Sequence, residues 1–398
     1  MGLRYPGGKF DLRRLFIKFC AFLQKKTVLI LDSDPQSCAR VLASSDRKGT
    51  FVEHLFAIPA WRPIYSVESE DGKKWEQLSQ QCAQVLANLP WKERLLPALD
   101  KNILCLVRRS EKDRDFILDS EILSRLTLQT LFEVLFQESL SQQDEDLFFR
   151  ASIEWRKEIA VKGKAKSEIK EAFSRRFLEI LQASEYKLGF EKNSSDQIIF
   201  LSVFAQPFIL SPQINISDIL VAVWDFIRKG GLHDRAYLEA QKDSSYLNGL
   251  IMESIRLRHP FPVLERELTR DLQIKGVPYK SGTQVLILFD EFKQDQDFKP
   301  ERWEKKSDNP YFGMPFGSGK RMCLGSALAT ALLQGILKSL LLSFPRTKVQ
   351  PDRGHQYSGR HNDSSRSFAE SFYQIKVFFS VLWRSRQIGK TKGTCPFH

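Results

Sequence analysis

Eleven residues constrain this chain more than any others: Pro315-Phe316-Gly317-Ser318-Gly319-Lys320-Arg321-Met322-Cys323-Leu324-Gly325. Gly317 and Gly319 permit a tight loop and a close approach of backbone to a flat ligand. The loop runs into Cys323–Leu342, whose strongly apolar composition reads as a helix. Cys323 is then expected at the start of that helix. There the helix N-terminus and the neighbouring Arg321 and Lys320 favour a thiolate. Loop amides can donate to the sulfur and Phe316 can shield it from water. Arg321 can pair with a carboxylate through a guanidinium fork. A cysteine so placed suits thiolate ligation of haem iron.

The remaining composition bounds the setting. The chain has 398 residues, 42% hydrophobic and 27% charged, which allows a sizeable core and excludes wholesale disorder. Its net charge of +12 suits an acidic partner, nucleic acid or an anionic membrane surface, and equally a soluble protein with none of these. No nucleic-acid motif or basic-aromatic stripe is present, so no nucleic-acid partner is expected. Cys20, Cys38, Cys82, Cys105, Cys323 and Cys395 are scattered without a CxxC pair. A disulfide framework or structural zinc site is therefore not expected, and a reducing, cytoplasmic setting fits. The six histidines form no ligand cluster. The run Leu15–Leu23 is nine residues long and contains Lys18. That falls short of the roughly 20 apolar residues of a membrane span. Between Arg13-Arg14 and Lys25-Lys26 it reads either as a buried helix face or as a peripheral contact with a membrane surface.

No repeat, low-complexity segment or linker divides the chain, so residues 1–398 are expected to form a single domain. Residues 1–30 carry an N-terminal helix and residues 384–398 form a basic tail. Helices are expected over Asp11–Leu23, from Pro35, and over Trp75–Asn88, Ser120–Glu138, Asp144–Lys162, Lys166–Ser184 and Ser244–Arg258. Gln197–Lys229 is a long apolar stretch interrupted by Pro207 and Pro212. Thr27–Leu31 and Tyr373–Val381 read as strands, and Leu272–Leu288 as a hairpin. The fold class is mainly α with a minor β-sheet.

Several segments together carry a family resemblance. Phe316-x-x-Gly319-x-Arg321-x-Cys323-x-Gly325 is similar to the haem-binding signature of the cytochrome P450 family. Glu253-Ser254-Ile255-Arg256, followed by Leu257-Arg258-His259-Pro260, resembles the family's ExxR segment and lies 70 residues before the cysteine. Its Glu and Arg share one helix face. Phe298-Lys299-Pro300-Glu301-Arg302-Trp303 resembles the PERF/PERW segment. Arg266, within Pro262–Glu267, and Gly72-Lys73-Lys74-Trp75 resemble positions that contact haem propionates. The resemblance covers about residues 30–382 and is most specific from 250 to 330.

The resemblance implies a triangular helical prism holding heme b (iron protoporphyrin IX) between a long central helix and the cysteine-loop helix. Cys323 would be the axial ligand to the iron. Arg321, Phe316, Gly317, Gly325, Trp75 and Arg266 would surround the cofactor. Glu253, Arg256 and Arg302 would form a buried charged triad that fixes the core behind the thiolate. The family often places Arg or His four residues after the tryptophan, but Ser79 stands there.

The chain departs from the family in its central helix. The usual acid–alcohol pair falls either on Ser211-Pro212-Gln213-Ile214-Asn215-Ile216 or on Phe204-Ala205-Gln206-Pro207-Phe208-Ile209, and both registers lack it. Pro212 is expected to open the helix by removing an amide donor. Gln213 and Asn215 become the candidate catalytic residues, with Asn215 able to hold a water or a substrate oxygen. The Gln-x-Asn pattern and the segment from Glu253 to Leu272 resemble the branch of sterol and bile-acid hydroxylases and prostacyclin synthase. Leu288–Lys293 replaces the usual His-x-Asp-Pro-type segment.

Three functions follow as expectations. The first is a monomeric monooxygenase acting on a lipophilic substrate, with electrons from a ferredoxin or flavoprotein reductase docking on the cysteine side. The second is a non-redox peroxide isomerase or peroxygenase. The third is a non-enzymatic haem-binding protein.

Overall fold

The computed structural model describes residues 18, 21–22, 26–31, 34–44, 64–68, 70–112, 118–159, 165–186, 194–242, 245–261, 263–289 and 297–344. The chain begins with β1 (Val28–Leu31), α1 (Pro35–Ser44), α2 (Gly72–Asn88), α3 (Trp91–Lys112) and α4 (Ser120–Phe136). It continues through α5 (Gln142–Ile159), α6 (Ser167–Ala183) and α7 (Ser194–Phe204), a π-helical stretch Ala205–Leu210, and α8 (Ser211–Lys229). Then come α9 (His233–Gln241), α10 (Tyr246–Leu257), β2 (Val263–Glu267), β3 (Leu272–Ile274), β4 (Val277–Tyr279) and β5 (Gln284–Leu288). Single 3-10 turns at Pro300–Trp303 and Gly319–Arg321 precede α11 (Ser326–Ser343). The fold is mainly helical with a small sheet. The expected strand Tyr373–Val381, the basic tail and most of Asp11–Leu23 lie outside the described residues.

The sheet orders β1-β5-β2, with β1 parallel and β2 antiparallel to β5. All five residues of β5 are buried, as an apolar central strand requires. The local hairpin therefore ends at Tyr279 and does not reach Leu288. Leu272 pairs with Tyr279 and Ile274 with Val277. Lys275 and Gly276 both take positive φ, 49° and 79°, the geometry of a tight two-residue turn. Continuous apolarity in Val285–Leu288 marks a strand enclosed on both faces, and its partners lie far away in sequence.

Two prolines shape the central rod from Ser194 to Lys229. Pro207 has no amide to donate, so the carbonyl of Val203 loses its helical partner. The thiol of Cys82, on α2, takes that carbonyl at 3.6 Å. Burial pushes this thiol up to about 12, so it remains a neutral donor. The helix widens over Ala205–Leu210, where the Ser211 amide donates to Gln206 O five residues back. The opening thus precedes Pro212, which sits in the first turn of α8.

α4 packs along α8 and against α3, and eleven of its residues are buried. Asp119 caps it by accepting from the Ile122 amide at 2.8 Å, and Ser124 meets Ser217 of α8 at 3.0 Å. α3 is an element the sequence reading did not anticipate, because Pro97 interrupts it. Its buried Leu95, Ala98, Leu99, Ile103 and Leu106 nevertheless keep the helical period. Two helical stretches, Gln197–Lys229 and Ser326–Ser343, are long and apolar enough to cross a membrane by length and composition; the first is mostly buried within the fold.

Candidate functional site

The cysteine loop is closed by its own backbone. Gly317 N donates to Met314 O at 3.0 Å, Met322 N to Gly319 O at 3.1 Å, and Cys323 N to Phe316 O at 2.9 Å. Gly317 and Gly319 adopt φ of 72° and 70°, in the left-handed region that favours glycine. The close approach at Gly319 is to α1, since a Cβ there would lie 2.7 Å from Leu42 O. It serves packing and not a ligand. At Gly325 a Cβ would meet nothing within 4 Å, so the space beside it is open.

Cys323 lies three residues before α11, because Gly325 occupies the cap position and the helix starts at Ser326. The helix terminus is thus farther from the sulfur than expected. Burial pushes the thiol up to about 11, against a hydrogen bond from the Gly325 backbone and with help from the charge of Glu68. Cys323 nonetheless keeps accessible surface. Its side chain is exposed although many protein atoms lie around it, so an incoming group can reach the sulfur. Without a metal the group is a thiol, and coordination would displace its proton.

Three candidate propionate contacts come together from distant parts of the chain. Trp75 of α2 is buried, and the Arg321 guanidinium lies over its ring at 4.5 Å. Arg321 Nη2 donates to Glu70 O at 3.0 Å and to the Asp71 carboxylate. Arg266 on β2 is 7% exposed. Its Nη1 donates to Glu265 O at 2.7 Å, while its Nε is buried with no hydrogen-bond partner. Burial and the like charge of Arg321 lower Arg266 to about 10, against the opposing charges of Asp71 and Glu265. Two guanidinium groups held this close, one with an orphaned buried donor, call for anions.

Glu253 is the most heavily hydrogen-bonded carboxylate of the described structure's core. It is fully buried. Arg256 donates to it from Nε and Nη2, each at 2.8 Å. Arg302 Nε, the Lys299 amide and Trp303 Nε1 each donate at 2.9 Å. The triad residues are therefore in contact, and Trp303 and the Lys299 amide join them. Gly249 makes this possible. A Cβ there would stand 2.5 Å from Pro300 O, so the glycine lets the Pro300–Trp303 turn press onto α10.

The two candidate catalytic amides are placed differently. Gln213 is fully buried. Its Nε2 donates to Ile209 O at 2.7 Å and its Oε1 has no partner. Asn215 accepts from Arg156 Nη1 at 2.7 Å and donates to Ser211 Oγ at 2.9 Å. Arg156, on α5, also donates to Pro260 O at 2.8 Å, approaches Asp218 at 3.4 Å and covers the Phe261 ring at 5.4 Å. Asn215 thus ties α8 to α5, and no described contact joins either amide to the cysteine loop. Arg156, Asp71 and Trp303 are site-region residues that sequence reasoning missed. Only Trp303 had a local signal, its place in the Pro300–Trp303 motif.

These residues fit haem. The open space beside Gly325 and the exposed Cys323 leave room for a flat ligand, and the orphaned Arg266 donor near Arg321 suits propionate chemistry.

Comparison with known proteins gives the same direction. Residues 231–364 match the family model described as Cytochrome P450. "Cytochrome P450 3A9" of Rattus norvegicus is 29% identical over 242 residues, which is 54% of this chain and 47% of that protein. "Cytochrome P450 71A14" of Arabidopsis thaliana is 31% identical over 160 residues, 36% of this chain and 32% of that one. "Sterol 14alpha-demethylase" of Mycolicibacterium vanbaalenii is 28% identical over 142 residues, 33% of this chain and 30% of that one. The chain thus spans about half the length of the rat protein and about a third of the other two. A solved 6-coordinated cytochrome P450 from Thermus thermophilus superposes with TM-score 0.59 at 17% identity, covering 79% of this chain and 84% of that one. That likeness concerns the fold.

Proposed function

We propose, from the match of residues 231–364 to the cytochrome P450 family model and the partial matches to its members, that this chain is a cytochrome P450 and a haem-thiolate monooxygenase acting on a lipophilic substrate. The observation that carries the reading is Cys323, exposed at the end of a loop whose Arg321 lies over Trp75 and near the buried Arg266. Heme b, when bound, supplies the one-electron and dioxygen chemistry. The chain's residues bind and orient it. Cys323 would hold the iron through its sulfur, and the Gly325 amide would steady the thiolate. Arg266, Arg321 and Trp75 would hold the propionates, while Phe316, Gly317 and Gly325 shape the loop. Glu253, Arg256 and Arg302 fix the core behind the sulfur.

Electrons come from a ferredoxin or flavoprotein that docks on the cysteine face, where exposed Lys320 and the overall +12 charge suit an acidic partner.

One observation favours a second reading, in which a peroxide drives turnover. Asn215 is held by Arg156, and Gln213 directs its donor to Ile209 O. Neither supplies the acid–alcohol function expected at the central helix.

The test is the spectrum of the dithionite-reduced protein with carbon monoxide, beside Cys323→Ser. A thiolate-type red-shifted Soret band that the substitution abolishes is the expected result. A spectrum indifferent to the substitution, or no haem uptake, overturns the reading. Turnover with reductase and NAD(P)H, against turnover with peroxide alone, then separates the two reactions.

A further inference from the structure

We propose that Asp71 is an internal anion of the propionate subsite: it holds Arg321 in the haem-free chain and gives way to a propionate on loading. The inference rests on the haem reading above. It starts from a local anomaly. Asp71 is the N-cap residue of α2, with extended backbone at φ −137° and ψ 169°. An aspartate there ordinarily accepts from the second or third helical amide. Its side chain makes no such bond. It turns instead to Arg321, 250 residues along the chain.

A carboxylate on a guanidinium is the chemistry a propionate would offer at the same place. Asp71 also acts as a counter-charge to Arg266. The pair of guanidiniums with Asp71 carries a net charge of about +1 by formal count. Two propionates would bring that cluster to about −1, whereas with Asp71 withdrawn the cluster is neutral. Like charges at hydrogen-bond range oppose one another, so Asp71 and a propionate compete for the Arg321 fork.

Asp71 has somewhere to go. Its side chain is 33% exposed while that of Arg321 is 6% exposed, so the carboxylate stands at the water edge of the subsite. The first-turn amides of α2, which its side chain leaves uncapped, are the natural second partner. The carboxylate thus has two positions. In one it shields Arg321, and in the other it caps α2, the helix that carries Trp75. Haem uptake would move it from the first to the second.

The experiment titrates full-length apoprotein with ferric haem, following the Soret band, and records the thermal melting of each apoprotein. Asp71→Asn keeps the capping ability of the side chain but removes its charge, and Asp71→Glu keeps the charge. Asp71→Asn should bind haem about tenfold tighter or more, equivalent to about 1.4 kcal/mol, and its apoprotein should melt lower. Asp71→Glu should stay within about threefold of wild type. Wild-type uptake with Asp71→Asn binding equally or more weakly overturns this inference and leaves the haem reading standing. An unchanged apoprotein melt of Asp71→Asn also overturns it. Failure of both proteins to take up haem overturns the haem reading, and this inference with it.

Discussion

Glu253 offers the sharpest test of what holds α10 to the Pro300–Trp303 turn. Five donors converge on its carboxylate: two from Arg256 and one each from Arg302, the Lys299 amide and Trp303. Glu253→Gln keeps the shape but removes the charge and turns two donor hydrogens toward groups that themselves donate. Arg256, with its side chain 2% exposed, is left as a buried cation without its counter-ion. Breaking a buried pair from one side costs about 3–5 kcal/mol. At about 2.1 cal/mol/K per residue, 398 residues give an unfolding entropy of roughly 0.8 kcal/mol/K. The apoprotein should therefore melt about 4–6 °C lower, measured by circular dichroism or calorimetry. Arg302, 17% exposed, is partly hydrated and should cost less when replaced by alanine. Added to Glu253→Gln, Arg302→Ala should cost almost nothing more, because its partner is already gone. A Glu253→Gln protein that melts within about 1 °C of wild type, or fully additive losses in the double variant, would refute the account.

Three further outcomes follow from the described contacts. Burial lowers His259 to about 4 from an ordinary 6.5, so between those values the unfolded chain takes up a proton that the folded one refuses. Stability should fall as pH drops from 6.5 toward 4, by roughly 3 kcal/mol in all; in urea melts His259→Phe, which keeps the stacking on Phe289, should lose that part of the acid slope, and equal slopes would count against it. Gly249→Ala drives a Cβ into the Pro300 carbonyl and should cost about 1–3 kcal/mol in thermal melts, with little further loss when Arg302→Ala is added. Arg156→Leu leaves Asn215, Asp218 and the Pro260 carbonyl without their shared donor and should cost about 2–3 kcal/mol in urea melts, whereas an unchanged midpoint would show that α5 is not fastened there.

Much of the helical framework is legible because its signals are local. Asp119 before Ser120, the proline opening α1 and the apolar period of α6 fix helices to within a few residues. The ExxR spacing and the Pro300–Trp303 motif encode the Glu253 cluster in the same way. What stayed hidden depends on distant partners. β5 belongs to a sheet because Val28–Leu31 lies alongside it, more than 250 residues earlier. Arg156 earns no notice in its own helix, since Asn215 and Pro260 are 59 and 104 residues away. Asp71 carries no signal of its own until Arg321 is folded against it. α3 is the exception, a missed element whose apolar period was visible but was interrupted by Pro97.

The widened turn at Ala205–Leu210 has a consequence for descent as well as for shape. A π-turn accommodates about one residue more than an α-turn, and each α-helical residue advances the side chains by roughly 100°. Deleting a single residue within Ala205–Leu210 would let the stretch relax to α geometry. Ser211–Lys229 would then keep nearly its present orientation relative to Ser194–Phe204, because the residue lost is the extra one that the wide turn holds. The same side chains would still face α4, α5 and α10, whereas a deletion elsewhere in the rod would turn them by roughly 100°. This one turn can therefore absorb a one-residue change in the length of the rod without altering which residues face inward.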